Sequence, residues 1–355
     1  MKQIEQPARG LIATAAMIAL AFLLILPWSL NTFTGIVSDA VMCSVPFTMM
    51  ASIFWKGEHP HAITRLRQPL QGFAYLGLAA VVAVVTLGLA WFTVGGNRGA
   101  TPFLAFTLIL SVAFTFWWSS VMGGWPFSLM KNRTLAGFVL LLGAYLLAAL
   151  VTRTFSFSFL SEAPFYAGMD PSGPIPAWDG LVTVVTSLAI WFLLVHLEMW
   201  PISKFAGLRR QPIERLISTA AGIAIGLGLY LLGTRVFHAS PDGFLVTVPV
   251  PFLFGTTVVL TMVQGSLTSR LRGVARGAVS ALLAIVIGQA LTWGYHAAMP
   301  WLTPETQTAP SVDQHIWVAS ALLGVTFPFL TMYQDFFRLW PLKTDRLELM
   351  DGSVS

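Results

Sequence analysis

Charge is scarce in this chain. Asp, Glu, Lys and Arg make up only 10% of its 355 residues, against roughly 25% in a soluble domain, whose surface needs them to face water. An ordinary water-facing surface is therefore excluded. Cysteine is almost absent as well. Cys43 stands alone inside an apolar run, so no internal disulfide and no cysteine cage for zinc or an iron–sulfur centre can form. A lone thiol there reads as a small buried residue.

Several kinds of chemistry are missing too. The chain contains no P-loop, no HExxH, no Gly-x-Ser-x-Gly and no dinucleotide fingerprint. It has no Arg-rich helix for sensing voltage and no lysine at mid-membrane depth for a retinal Schiff base. None of the six histidines pairs with another at ligand spacing within a helix. His59 and His61 share a loop, and only His238 and His296 have the matched depth that two axial haem ligands would need. The expectation is a non-enzymatic protein without metal or cofactor.

What is present is apolar. Hydrophobic residues make up 56% of the chain, with 26 Phe and 13 Trp, and mean hydropathy is +0.75. A helix needs roughly 20 apolar residues to cross a hydrocarbon core of about 30 Å. Ten segments qualify, near 11–30, 36–55, 70–93, 102–123, 134–153, 178–199, 214–236, 244–263, 274–297 and 314–337. The first follows Lys2 and Arg9. At that length, with no small-x-small site after it, it reads as a retained helix and not a signal peptide. The fold class expected is all-α: one multi-pass transmembrane domain over 1–355, with the lipid bilayer as its first partner.

The net charge of +5 would raise the question of nucleic acid in a soluble protein. Here the basic residues lie in short loops, where they report topology, and no nucleic acid is expected. With the N-terminus inside, 17 of the 20 Lys and Arg fall on the inner side, leaving only Arg98, Arg153 and Arg235 outside. An even number of spans then places both ends inside, in the plasma (inner) membrane.

The inner loops resemble one another. Trp125-Pro126-Phe127, Trp200-Pro201-Ile202 and Trp340-Pro341-Leu342 each close an even span, while the first loop departs with Trp55-Lys56 and a later His59-Pro60-His61. Leu66-Arg67-Gln68-Pro69 and Arg209-Arg210-Gln211-Pro212 each open an odd span. Pro46-Phe47, Pro251-Phe252 and Pro328-Phe329 recur inside even spans. The unit is an inward helix, a basic turn and a Gly-rich outward helix, with the first and tenth spans forming a split fifth copy. Such repeats are common in transporters, although any membrane hairpin favours interfacial Trp and terminal Pro. Small residues mark close helix contacts in lipid, so the Gly-rich odd helices are the expected inner ring.

In topology the chain resembles the tellurite-resistance and dicarboxylate transporter superfamily, which includes plant anion channels. That resemblance implies five hairpins around a pore, and an aromatic plug such as a Phe midway along an odd helix.

Ionisable residues inside the membrane are functional candidates. Asp39, Asp179 and Asp242 open the second, sixth and eighth spans. They are candidates for an outer mouth, and equally the kind of acid that settles at a helix N-terminus. His196, Glu198 and Asp335 lie near the inner ends of the sixth and tenth spans and are candidates for an inner gate. Hydroxyls such as Thr48, Thr115, Thr186 and Thr257 either line a weakly polar pore or bond their own helices. The long outer loop 154–177 either rests on the interface or caps the space between helices. The function expected is a transporter or channel for a small solute, an anion among the options. The alternative is a non-catalytic anchor or assembly subunit, alone, as a homo-oligomer or in a membrane complex.

Overall fold

A computed structural model describes residues 5–96, 101–157, 173–204 and 213–342. Lys2, Arg98, Arg209, Arg210, Lys343, Arg346, the helix start at 209–212 and the middle of loop 154–177 lie outside the described residues.

Ten helices among them are long and apolar enough to cross a membrane: α1 (Ala8–Ile25), α2 (Leu30–Phe54), α3 (Leu70–Phe92), α4 (Pro102–Val121), α5 (Arg133–Thr152), α6 (Ala177–His196), α7 (Ile213–Val236), α8 (Pro241–Met262), α9 (Gly273–Leu302) and α10 (Ser311–Asp335). Helix is the economical choice here, because lipid offers no partner to a free backbone N–H or C=O. Three boundaries differ from the sequence expectation by five residues or more, the first being the end of α1 at Ile25 and not near 30. α2 starts six residues early, where the Ser29 hydroxyl caps its first turn and the Glu305 carboxylate accepts from Leu30 N at 2.7 Å. α9 runs on to Leu302, through Pro300.

The helices form two shells, and the even ones are inside. Between 56% and 78% of each even span is buried, against 22–33% of each odd span. This reverses the expectation that the Gly-rich odd helices form the inner ring. α2, α4, α6, α8 and α10 pack side by side into a closed ring, α10 meeting α2. The odd helices lie outside in its grooves: α1 over α8 and α10, α5 over α2 and α4, α7 over α4 and α6, α9 over α6 and α8. α3 lies over α2 and α10, its Gly72 pressed on the Phe337 ring and Tyr75 stacked on Phe336. Some odd-helix glycines are thus seats. Gly10, Gly137 and Gly277 lie against Met262, Trp55 and His196, leaving no room for a Cβ. The opposite faces of the same helices present Leu, Val and Ile outward.

Each inner helix ends in the same backbone turn. Residues 55–58, 122–125, 197–200, 263–266 and 337–340 each hold two successive left-handed residues, with φ between +52° and +78°. Each is closed by an N–H to C=O bond of 2.9–3.1 Å from the fourth residue to the first. Only Gly123-Gly124 fills both left-handed positions with glycine. Lys56, Glu198, Met199, Gln264, Arg338 and Leu339 occupy them at some steric cost. Just before the turn, α2, α4 and α8 widen into π-helical stretches at 50–54, 117–121 and 257–262. The end of the bundle bearing these turns is the turn end.

Candidate functional site

At the opposite end the ring opens. A cavity of about 880 Å³ lies on the bundle axis, lined by residues of α2, α4, α6, α8 and α10 and by Thr101, which caps α4. No residue of an odd helix lines it, so an aromatic plug on an odd helix has no place here. The deepest lining residues along the five helices are Met49, Ala113, Phe192, Leu253 and Phe327. They form the floor. Beneath it Phe116 stacks on Phe192 with ring centroids 4.1 Å apart, so aromatic surface separates the cavity from the turn end.

The walls are mostly apolar, with Val45, Ile109, Leu181, Val185, Leu245 and Leu323 among them. Polar groups gather nearer the mouth: Asn31, Thr32, Thr34, Asp313 and the Asp242–His315 pair, whose Oδ2 and Nδ1 lie 2.6 Å apart. Among the described residues no Lys or Arg lines the cavity. At one side of the mouth, residues 155–156 pair with 175–176. The buried Phe157 packs edge-on against Phe103 and Phe106, and Phe106 against Trp178. The described ends of the long loop therefore lie beside the mouth, against α4 and α6.

The three outer acids have different fates. Asp242, second residue of α8, stands at the rim. Asp179, third residue of α6, accepts a hydrogen bond from the Tyr230 hydroxyl of α7 and does not line the cavity. Asp39 does not open α2, as the sequence had it. It is the tenth residue of that helix, 3% exposed, and it lines the cavity. Its carboxyl Oδ2 is buried with no hydrogen-bond partner. The earlier start of α2 moves this carboxyl from the membrane boundary into the cavity.

The inner candidates are not brought together. His196 bridges three helices, with Nδ1 2.9 Å from Ser280 Oγ of α9 and Nε2 3.0 Å from Thr256 Oγ1 of α8. Asp335 Oδ2 accepts from Ser52 Oγ of α2 at 2.5 Å. Measured back from the turn, Asp335 is three residues before Arg338 and His196 two before Glu198. The two do not hold corresponding positions, and α6 and α10 are not neighbours in the ring. Glu198 is exposed within the turn and forms no salt bridge among the described residues.

The threading hydroxyls mostly serve their own helices. Thr48, Thr115, Thr186 and Thr257 donate to the carbonyls of Ser44, Ser111, Val182 and Leu253, four residues back, at 2.7–3.1 Å. A smaller cavity of about 390 Å³ at the turn end is lined by Lys56, Glu58, His59, Ser119 and Arg133. There burial, His61 and Arg133 hold the His59 imidazole below its ordinary pKa. Among the described residues no group of three His, Cys, Asp or Glu could hold a metal ion. His238 and His296 remain at the open end, on α7's exit and on α9.

Lower hydropathy marked three of the five inner helices, while α6 and α8, at 1.8 and 1.9, do not differ from the outer α9 and α7. α2, α4 and α10 average 1.6–1.7, whereas α1, α3 and α5 average 2.1–2.3. Compared with family models, curated proteins and solved structures, the chain finds no match in any of the three.

Proposed function

We propose that this chain is a membrane transporter or channel for small solutes, and that the axial cavity is its solute vestibule. The carrying observation is that all five inner helices, and no others, line one cavity that is open at one end and floored by stacked aromatic rings at the other. A space of this size with few, placed polar groups suits a small molecule. A path blocked at one end suits alternating access.

The turn end is the cytoplasmic end in this reading. Lys56, Arg65, Arg67, Lys131, Arg133, Lys204, Arg270, Arg272 and Arg276 lie in its loops or helix starts, whereas Arg153 and Arg235 lie at the other end, and positive charge is retained inside. The cavity then faces outward, and the first and last spans both have their basic flanks inside. The five like turns support an origin by duplication of a helical hairpin, with α10 and α1 as the divided copy. Among the described residues the lining has carboxylates and no Lys or Arg, which favours neutral or cationic solutes over anions.

The test is flux through proteoliposomes containing the purified protein alone, over a panel of small cations, neutral solutes and anions. Cation or neutral flux supports the reading. Anion-selective flux overturns the solute class. Silence from folded protein overturns transport and favours the anchoring subunit.

A further inference from the structure

We propose that Asp39 is where the vestibule binds the charged head of a lipophilic organic cation, in exchange for a proton. This rests on the transport reading and narrows its solute class. Asp39 lies roughly 13 Å along α2 from Leu30, at 1.5 Å per residue, and so well inside the span. It is 3% exposed, it lines the cavity, and its Oδ2 has no partner. No described residue supplies a counter-charge. Among the described residues neither Lys nor Arg lines the cavity, and the imidazole of His315 is engaged by Asp242. A carboxylate left alone in apolar surroundings is costly. The site is neutral when it holds a proton, and neutral again when it holds a monocation.

The walls describe the rest of the ligand. Met42, Val45, Phe106, Trp178 and Leu323 give the same cavity apolar and aromatic wall, which suits an onium group on a hydrophobic body. A bare metal ion would need several oxygen ligands, and among the described residues no cluster provides them. On binding, the Asp39 O–H bond breaks, its proton passes to water in the vestibule, and the carboxylate pairs with the cation. One proton leaves for each monocation bound. The titratable groups sharing this region are Asp313 and the Asp242–His315 pair on the cavity wall. Cys43 lies one turn along α2, and Tyr145 of α5 donates to the Cys43 carbonyl at 2.9 Å. α4 brings none, and Tyr75 of α3 is at the turn end on Phe336.

The test uses the full chain in detergent and tetraphenylphosphonium as the probe, titrated calorimetrically in two buffers of different ionisation heat. The expected result is about one proton released per cation bound, with affinity falling about tenfold per pH unit once the carboxyl is protonated. Asp39→Asn should weaken binding at least about tenfold and abolish proton release, and Asp39→Glu should keep the release. Absence of binding, binding without proton release, or proton release surviving in Asp39→Asn would each overturn the proposal. If Asp39→Asn does not fold, the wild-type proton count still decides. Flux of neutral solutes without cation binding would overturn this inference and leave transport standing. Asp39-dependent proton release without any flux would do the reverse.

Discussion

The Ser52 hydroxyl of α2 donates a 2.5 Å hydrogen bond to the Asp335 carboxylate of α10, and so ties the first inner helix to the last. Other neighbours in the ring follow each other within a few tens of residues, but these two helices are separated by nearly the whole chain. Ser52→Ala removes the donor and leaves a partly buried acceptor unmatched, a loss of about 1–3 kcal/mol. Thermal unfolding in detergent should show a lower midpoint for Ser52→Ala than for Ser269→Ala, whose hydroxyl is exposed.

Gly288 of α9 lies against the Pro251 carbonyl of α8, and Gly255 of α8 against the Ala284 carbonyl of α9. Backbone cannot give way as a side-chain tip can. Gly288→Ala should cost at least the upper part of the roughly 1–3 kcal/mol typical of overpacking, read as loss of monodisperse protein in size-exclusion chromatography. Gly77→Ala and Gly228→Ala meet open space and should be neutral or mildly stabilising.

Glu198 is exposed and held at φ +52° in the α6 turn. A left-handed conformation costs a non-glycine residue roughly 1–2 kcal/mol. Glu198→Gly should therefore raise the unfolding midpoint while leaving flux intact. If Glu198 were part of an inner gate, the same substitution would change flux.

Phe192 is both floor residue and stacking partner of Phe116. Phe192→Ala should thin the barrier between vestibule and turn end. The expected readout is leak of small solutes through proteoliposomes that are tight with the wild type, and an unchanged leak would show that the floor is not the barrier.

Cys43 is 1% exposed, so the native chain should resist membrane-impermeant maleimides. In intact cells Thr34→Cys, on the cavity wall near its mouth, should label, and Lys56→Cys, in the α2 turn, should not. The opposite pattern would invert the orientation.

The spans were legible because hydropathy and length act locally, residue by residue. The choice of inner ring was not, because glycine reports close approach without saying on which side of the helix the bundle lies. Gly10 and Gly137 do mark contacts, but the helices bearing them turn their remaining faces to lipid. Asp39 was legible as an unusual acid and misplaced in depth. The true start of α2 depends on Ser29 and on Glu305, which is distant in sequence. The recurrence of the turn was half visible, through its Trp-Pro copies. Its copies at 55–58 and 263–266 share backbone geometry with the others but not that motif.

The order of the helices along the chain bears on how this protein is made. α1 leaves the ribosome first, yet its seats lie on α8 and α10, with Gly10 against Met262 and the Gln6 side chain donating to the Met262 carbonyl at 3.1 Å. α3 likewise waits for Phe336 and Phe337. Through most of synthesis α1 is without its final neighbours, α3 has α2 but not α10, and the cavity has a missing wall. The ring therefore closes only once α10 is present. A chain stalled before that point would display an open seam to the membrane, a mark by which quality control could tell it from the finished protein.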